Sequence, residues 1–87
     1  MYRLRLSPRA QHFYAAADRP LARKLARCFR QIEADPRNHP NIRALRGDLA
    51  GYWRYRAGDY RVIYRIDDRT RAVDVVLIAH RGDVYNQ

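Results

Sequence analysis

Eighty-seven residues make one small domain with a single core, and 47% hydrophobic residues are enough to build it, so the composition is not that of a disordered chain. A lone cysteine, Cys28, excludes a disulfide framework and a cysteine metal site. Eighteen Lys and Arg, seventeen of them Arg, stand against nine Asp and Glu and leave a net charge of +9. A GC-rich genome would favour Arg codons over Lys codons, but codon bias does not produce such an excess of cations over anions. The excess points to a polyanionic or acidic partner: RNA, DNA, an acidic protein or an anionic membrane. The membrane reading is thin, because no apolar run is long enough to span and no N-terminal signal with a cleavage site is visible. The cytoplasm is the expected compartment.

The elements follow in chain order. Tyr2-Arg3-Leu4-Arg5-Leu6 alternates, with Leu4 and Leu6 on one face, and predicts a half-buried strand. Ser7-Pro8 supplies an N-cap and a proline for the first helical position, so a helix is expected from about Pro8 to about Ala17, with Ala10 and Phe13 inward. Asp18 caps a second helix that runs to about Ala34, stopped by Asp35-Pro36. Leu21, Leu25, Cys28, Phe29 and Ile32 form its apolar stripe, which makes Cys28 a core residue. Arg23, Lys24, Arg27, Arg30 and Gln31 lie largely off that stripe. Residues 35–41 hold two prolines and two asparagines and read as a loop; Ile42-Arg43-Ala44-Leu45 is a short segment leading toward the sheet.

Tyr52 to Arg65 is a hairpin around Gly58-Asp59, a pair suited to a type II′ turn. The register opposes Ala57 to Tyr60, Arg56 to Arg61, Arg54 to Ile63 and Tyr52 to Arg65. One face then carries Tyr52, Arg54, Arg56, Arg61, Ile63 and Arg65, and the other carries Trp53, Tyr55, Ala57, Tyr60, Val62 and Tyr64. The aromatic side packs on something; the arginine side meets water or a polyanion. Asp67-Asp68-Arg69-Thr70-Arg71 is a turn. Ala72 to Ala79 is the most apolar stretch and predicts a strand buried on both faces. Pairing Asp67 with Ala72 sets Asp74 opposite Arg65, turns Val75 and Leu77 toward Tyr64 and Val62, and brings His80 onto the arginine face beside Arg61. The expected architecture is α+β: an N-terminal strand, a two-helix hairpin, then a three- to four-stranded antiparallel sheet, with the helices on one face.

Two clusters can carry chemistry. Arg54, Arg56, Arg61 and Arg65 form a concentrated positive surface, whose mutual repulsion an anion or a carboxylate would relieve. His80, Arg81 and Tyr85 gather where the last strand leaves the sheet: imidazole moves protons near neutral pH, guanidinium binds phosphate, and a phenol stacks on a base. His12, His39 and His80 have no metal-ligand spacing, there is no phosphate-binding glycine loop, and no cofactor is expected.

The run from Leu45 to Tyr64, with its Leu-x-Gly and Tyr-Arg-x-x-Tyr elements, and the tail His80-Arg81-Gly82-Asp83-Val84-Tyr85 together resemble the RelE/ParE superfamily of type II toxins, with the tail favouring the RelE branch. The resemblance covers essentially all of 1–87 as a single toxin domain with a RelE-like microbial ribonuclease-type fold. It implies a ribosome-dependent endoribonuclease, independent of metal, that cleaves mRNA in the ribosomal A site with the RNA's own 2′-hydroxyl as nucleophile. It implies a cognate antitoxin, ribosome and mRNA as partners. By position, Arg61 matches the family's transition-state arginine, Arg81 the arginine at the end of the last strand, and Tyr85 the tyrosine that contacts the base. Arg54 and Arg56 match basic positions of the first hairpin strand, and Arg65 and Tyr52 extend that substrate-binding surface. In the family's best-known member lysines stand where Tyr52 and Arg54 stand here. Arg does not give up its proton in a protein, so Arg54 neutralises phosphate, and the expectation for proton transfer passes to His80. The alternative is a ParE-like inhibitor of DNA gyrase with no catalysis of its own, which has no use for the His80-Arg81-Tyr85 cluster.

Overall fold

Capping residues fix both helices. The structure, a computed structural model, describes residues 1–82. After strand β1 (Arg3–Leu6), Ser7 Oγ accepts from the Ala10 N–H at 3.1 Å and starts α1 (Pro8–Ala16). Asp18 Oδ1 accepts from the Leu21 N–H at 3.0 Å and starts α2 (Arg19–Ala34). Asp35 ends α2, and its carboxylate then accepts from the Arg37 and Asn38 N–H groups, which hold it below the usual carboxylate range.

The remaining strands are β2 (Ile42–Ala44), β3 (Trp53–Ala57), β4 (Tyr60–Asp67) and β5 (Ala72–His80), with a 3-10 turn over Gly47–Leu49. The sheet order is β1-β5-β4-β3-β2, parallel at β1–β5 and antiparallel elsewhere. The expected α+β layering is present, with one strand beyond the smaller count: Ile42–Ala44 pairs with β3 as a true edge strand. The chain leaves β1 at one edge, crosses one face as two helices, and re-enters at the other edge. Among the described residues no helix is long and apolar enough to cross a membrane.

The core lies between the helices and that face. Leu25, Cys28, Phe29 and Ile32 of α2 and Ala10 of α1 pack with Tyr55, Val62, Tyr64, Val73, Val75 and Ile78. Each aliphatic side chain removed from water this way contributes about 1.5–3 kcal/mol. The Tyr64 hydroxyl, fully buried, donates to the Pro36 carbonyl at 2.7 Å, and burial pushes its ionisation well above the usual phenol range. The outer edge of β1 is closed by Glu33, whose carboxylate accepts from the Leu4 N–H at 3.0 Å.

The β3–β4 hairpin has the expected register, with Arg56 opposite Arg61 and Arg54 opposite Ile63. Gly58 has φ +63° and Asp59 does not enter the positive-φ region, as a type II′ turn requires. The β4–β5 ladder departs from expectation halfway along. Asp67 faces Ala72, Arg65 faces Asp74 and Tyr64 faces Val75, as read from the sequence; then a bulge at Val76 inserts one residue, and Ile63 faces Leu77, Val62 faces Ile78 and Tyr60 faces His80. Every side chain after Val76 is therefore on the opposite face from the expected one. Ile78, not Leu77, joins Val62 in the core, and His80 lies with Tyr60 on the helix side.

Candidate nucleic-acid interface

The sheet face away from the helices collects arginines from three strands. Arg43 of β2 stands directly opposite Arg54 of β3, and Arg56 of β3 directly opposite Arg61 of β4. Like charges in directly opposed positions repel across about 5 Å. At the other end of the same face the charge is neutralised: Asp74 lies opposite Arg65 and holds Arg5 through two hydrogen bonds, at 2.8 Å and 3.2 Å. Arg65 also lies over the Tyr52 ring, 5.7 Å from its centroid. Positive charge is thus concentrated at the hairpin end. Arg43, Arg54 and Arg56 make no ion pair among the described residues.

Arginine stems also cover apolar surface here. Ile63, on this outer face, is 3% exposed, and the Nε of Arg54 is buried with no hydrogen-bond partner. Arg61 is held over the turn, its Nη1 donating to the carbonyls of Gly58 and Tyr60 at 3.3 Å each. The ladder continues one step past His80: the Arg81 N–H donates to the Asp59 carbonyl at 2.6 Å, and Arg81 Nε lies 3.9 Å from Asp59 Oδ1. Arg61 and Arg81 therefore belong to the same end of the sheet, as expected.

His80 does not join them. Its ring meets Tyr60 edge-on at 5.3 Å, and its Nδ1 accepts from the Gly82 N–H at 3.3 Å, which puts the proton of the neutral imidazole on Nε2. It lines a cavity on the helix side with Phe13, His12 and Arg9. The position beside Arg61 is occupied by Ala79. The expected placement of His80 beside Arg61 rested on an unbulged ladder, and the bulge at Val76 corrects it: the imidazole lies on the helix side. Tyr85 lies outside the described residues. Two members of this surface were not singled out from the sequence. Arg43 sits in a strand of three residues, too short for alternation to register, and Asp59 was read only as a turn residue.

Residues 4–85 match the family described as the ParE toxin of type II toxin–antitoxin systems. The chain belongs to the RelE/ParE toxins. Named relatives place it among toxins of the RelE and YoeB kind. Toxin RelG of Mycobacterium tuberculosis is 44% identical over 43 residues, which is 49% of this chain and 49% of RelG. Toxin RelE of the same organism is 39% identical over 62 residues, 69% of this chain and 64% of that protein. The aligned part of this toxin thus spans less than two thirds of either relative. Among solved structures, the toxin–antitoxin complex RelBE2 from Mycobacterium tuberculosis contains a chain that superposes with a TM-score of 0.77 at 31% identity, covering 92% of this toxin and 98% of that chain.

Proposed function

We propose that this toxin is a ribosome-dependent mRNA endonuclease that acts through the arginine face of its sheet. The observation that carries the reading is the two pairs of opposed arginines, Arg43–Arg54 and Arg56–Arg61, toward the end of the sheet where Arg81 also emerges. A phosphodiester strand laid there relieves the repulsion that the fold otherwise bears. In the reaction a 2′-hydroxyl of the mRNA attacks its adjacent phosphorus and gives up its proton. The 5′-oxygen leaves with a proton, and a 2′,3′-cyclic phosphate and a 5′-hydroxyl remain. Arg61 and Arg81 stabilise the extra negative charge on the phosphorane-like transition state, and Arg54, Arg56, Arg65 and Tyr52 hold the flanking strand. By family resemblance Tyr85 contacts the base. With His80 on the other side of the sheet, the group we assign to proton transfer is Asp59, which lies against Arg81 at the hairpin tip. The ribosome supplies the positioning that so small a surface does not, and the toxin works in the cytoplasm without a cofactor.

The antitoxin follows from the same charge. A cognate partner must cover a basic surface, so its toxin-binding segment is acidic or amphipathic. The RelBE2 structure, itself a toxin–antitoxin complex, supports such a partner. The test is primer extension on mRNA in programmed ribosomes, with a ribosome-free control. Cuts at the A-site codon only with ribosomes, lost on Arg61→Ala, are expected. No cuts and no ribosome binding would overturn the reading and favour inhibition of DNA gyrase, measured by supercoiling.

A further inference from the structure

A second basic site lies around the sheet margin from the arginine face. A cavity of about 270 Å³ opens between α2 and the hairpin, lined by Lys24, Arg27 and Gln31 of α2, Asn41 of the preceding loop, and Arg56 and Gly58 of the hairpin. Three cations converge there, and no acidic side chain lines it. None of the three makes an ion pair among the described residues. Lys24 is the single lysine of the chain, and its Nζ stands 2.8 Å from the point a Cβ on Gly58 would occupy. The bare glycine therefore lets the ammonium sit directly over the turn. Two side-chain amides add neutral donors, so the wall offers ammonium, guanidinium and amide N–H groups and matches the several acceptor oxygens of a phosphate.

Continuity decides which polyanion this is. β2 begins opposite Tyr55 and the Arg56 N–H donates to the Asn41 carbonyl at 2.9 Å, so beyond that bond the margin of β3 at Ala57 and Gly58 has no neighbouring strand. Arg56 belongs to both surfaces: it opposes Arg61 on the arginine face and lines the cavity behind the margin. One uninterrupted positive path runs from the opposed arginines around the edge of the sheet to Lys24 and Arg27. We infer that this cavity binds a backbone phosphate of the RNA strand, beyond the linkage that is cleaved, as the strand passes off the arginine face. The inference rests on RNA being the partner of the proposed function.

The test uses the full chain and a short 2′-O-methyl uridine oligonucleotide, which lacks the attacking hydroxyl and so reports binding without cleavage. Affinity is followed by fluorescence anisotropy over a range of salt concentrations. Each lost phosphate contact to a single strand lowers the slope of log K against log salt by about 0.7. The Lys24→Gln/Arg27→Gln double variant, which empties a site for one phosphate, is expected to lower it by about 0.7. Arg23→Gln/Arg30→Gln removes the same charge from exposed positions of α2 outside the cavity and is expected to lower it far less. Equal slopes for the two double variants would overturn the site, since net charge alone would then explain binding. So would an unchanged slope for the cavity variant. Because the oligonucleotide is not cleaved, a toxin that fails to cut mRNA on ribosomes can still pass or fail this test.

Discussion

At the scale of single residues, Arg61 and His80 make opposite predictions. Arg61→Ala removes a charge from the proposed transition state, and ribosome-dependent cleavage is expected to fall by about 10²–10³-fold. His80→Gln alters an exposed side chain on the far side of the sheet and is expected to leave the cleavage rate within about twofold. A large loss at His80 would place the proton transfer there after all. Cys28 makes a third. Burial pushes its thiol up to about 12, so at neutral pH it holds almost no thiolate. A maleimide reagent should leave the native protein unlabelled and label it once in denaturant; labelling at native concentrations of reagent would mean that the α2–sheet interface opens. The inward residues of α2 and the hairpin arginines were legible in the sequence because periodicity alone sorts them. His80 was not, because a bulge is one extra residue and leaves no mark in an apolar run such as Val75-Val76-Leu77-Ile78.

At the scale of elements, Ser7 does more than cap a helix. Its Oγ accepts from the Ala10 N–H and donates to the carbonyl of Val76 at 3.1 Å, while its own N–H donates to the Val75 carbonyl at 2.8 Å. The residue that starts α1 thus also holds the bulge in β5. Ser7→Ala should cost about 1–2 kcal/mol in urea melts, from the lost cap and the unpaired carbonyl together. A cost near zero would mean that neither bond contributes. The cap was readable from Ser7-Pro8, but the second bond joins positions 69 residues apart and has no local signature. The same limit applies to β2. Ile42-Arg43-Ala44 becomes a strand because β3 offers a partner; its own pattern is too short to specify one.

At the scale of the whole molecule, charge governs stability. Asp68 ties three distant segments together: its carboxylate accepts from the Tyr2 hydroxyl at 2.6 Å and from Arg37 at 2.8 Å, joining the start of the chain, the loop after α2 and the β4–β5 turn. The hydrogen bonds from Arg37 and Tyr2 hold this carboxyl below the usual range, and Asp35 is held low by backbone N–H groups. A carboxyl with a lowered folded-state value stabilises the fold above its unfolded value, near pH 4, and that contribution is lost as pH falls through the lower folded value. Acid also adds positive charge to a chain already at +9. Melting temperature should therefore drop steeply below about pH 4, and the drop should be shallower in Asp68→Asn and Asp35→Asn. An identical acid profile in both variants would assign the loss to net charge alone. One further consequence follows from the parallel pairing of β1 with β5, in which Arg3 meets Ala72 and Leu6 meets Val75. The helices that come early in the chain have their apolar faces matched to strands that come late, and β1 has no partner until the last strand is made. While β5 is still inside the exit tunnel, β1 has no ladder and the core lacks Val73, Val75 and Ile78, so the helices have no complete sheet to close on. A ribosome making this protein therefore cannot complete its core until β5 has emerged, however early the helices form.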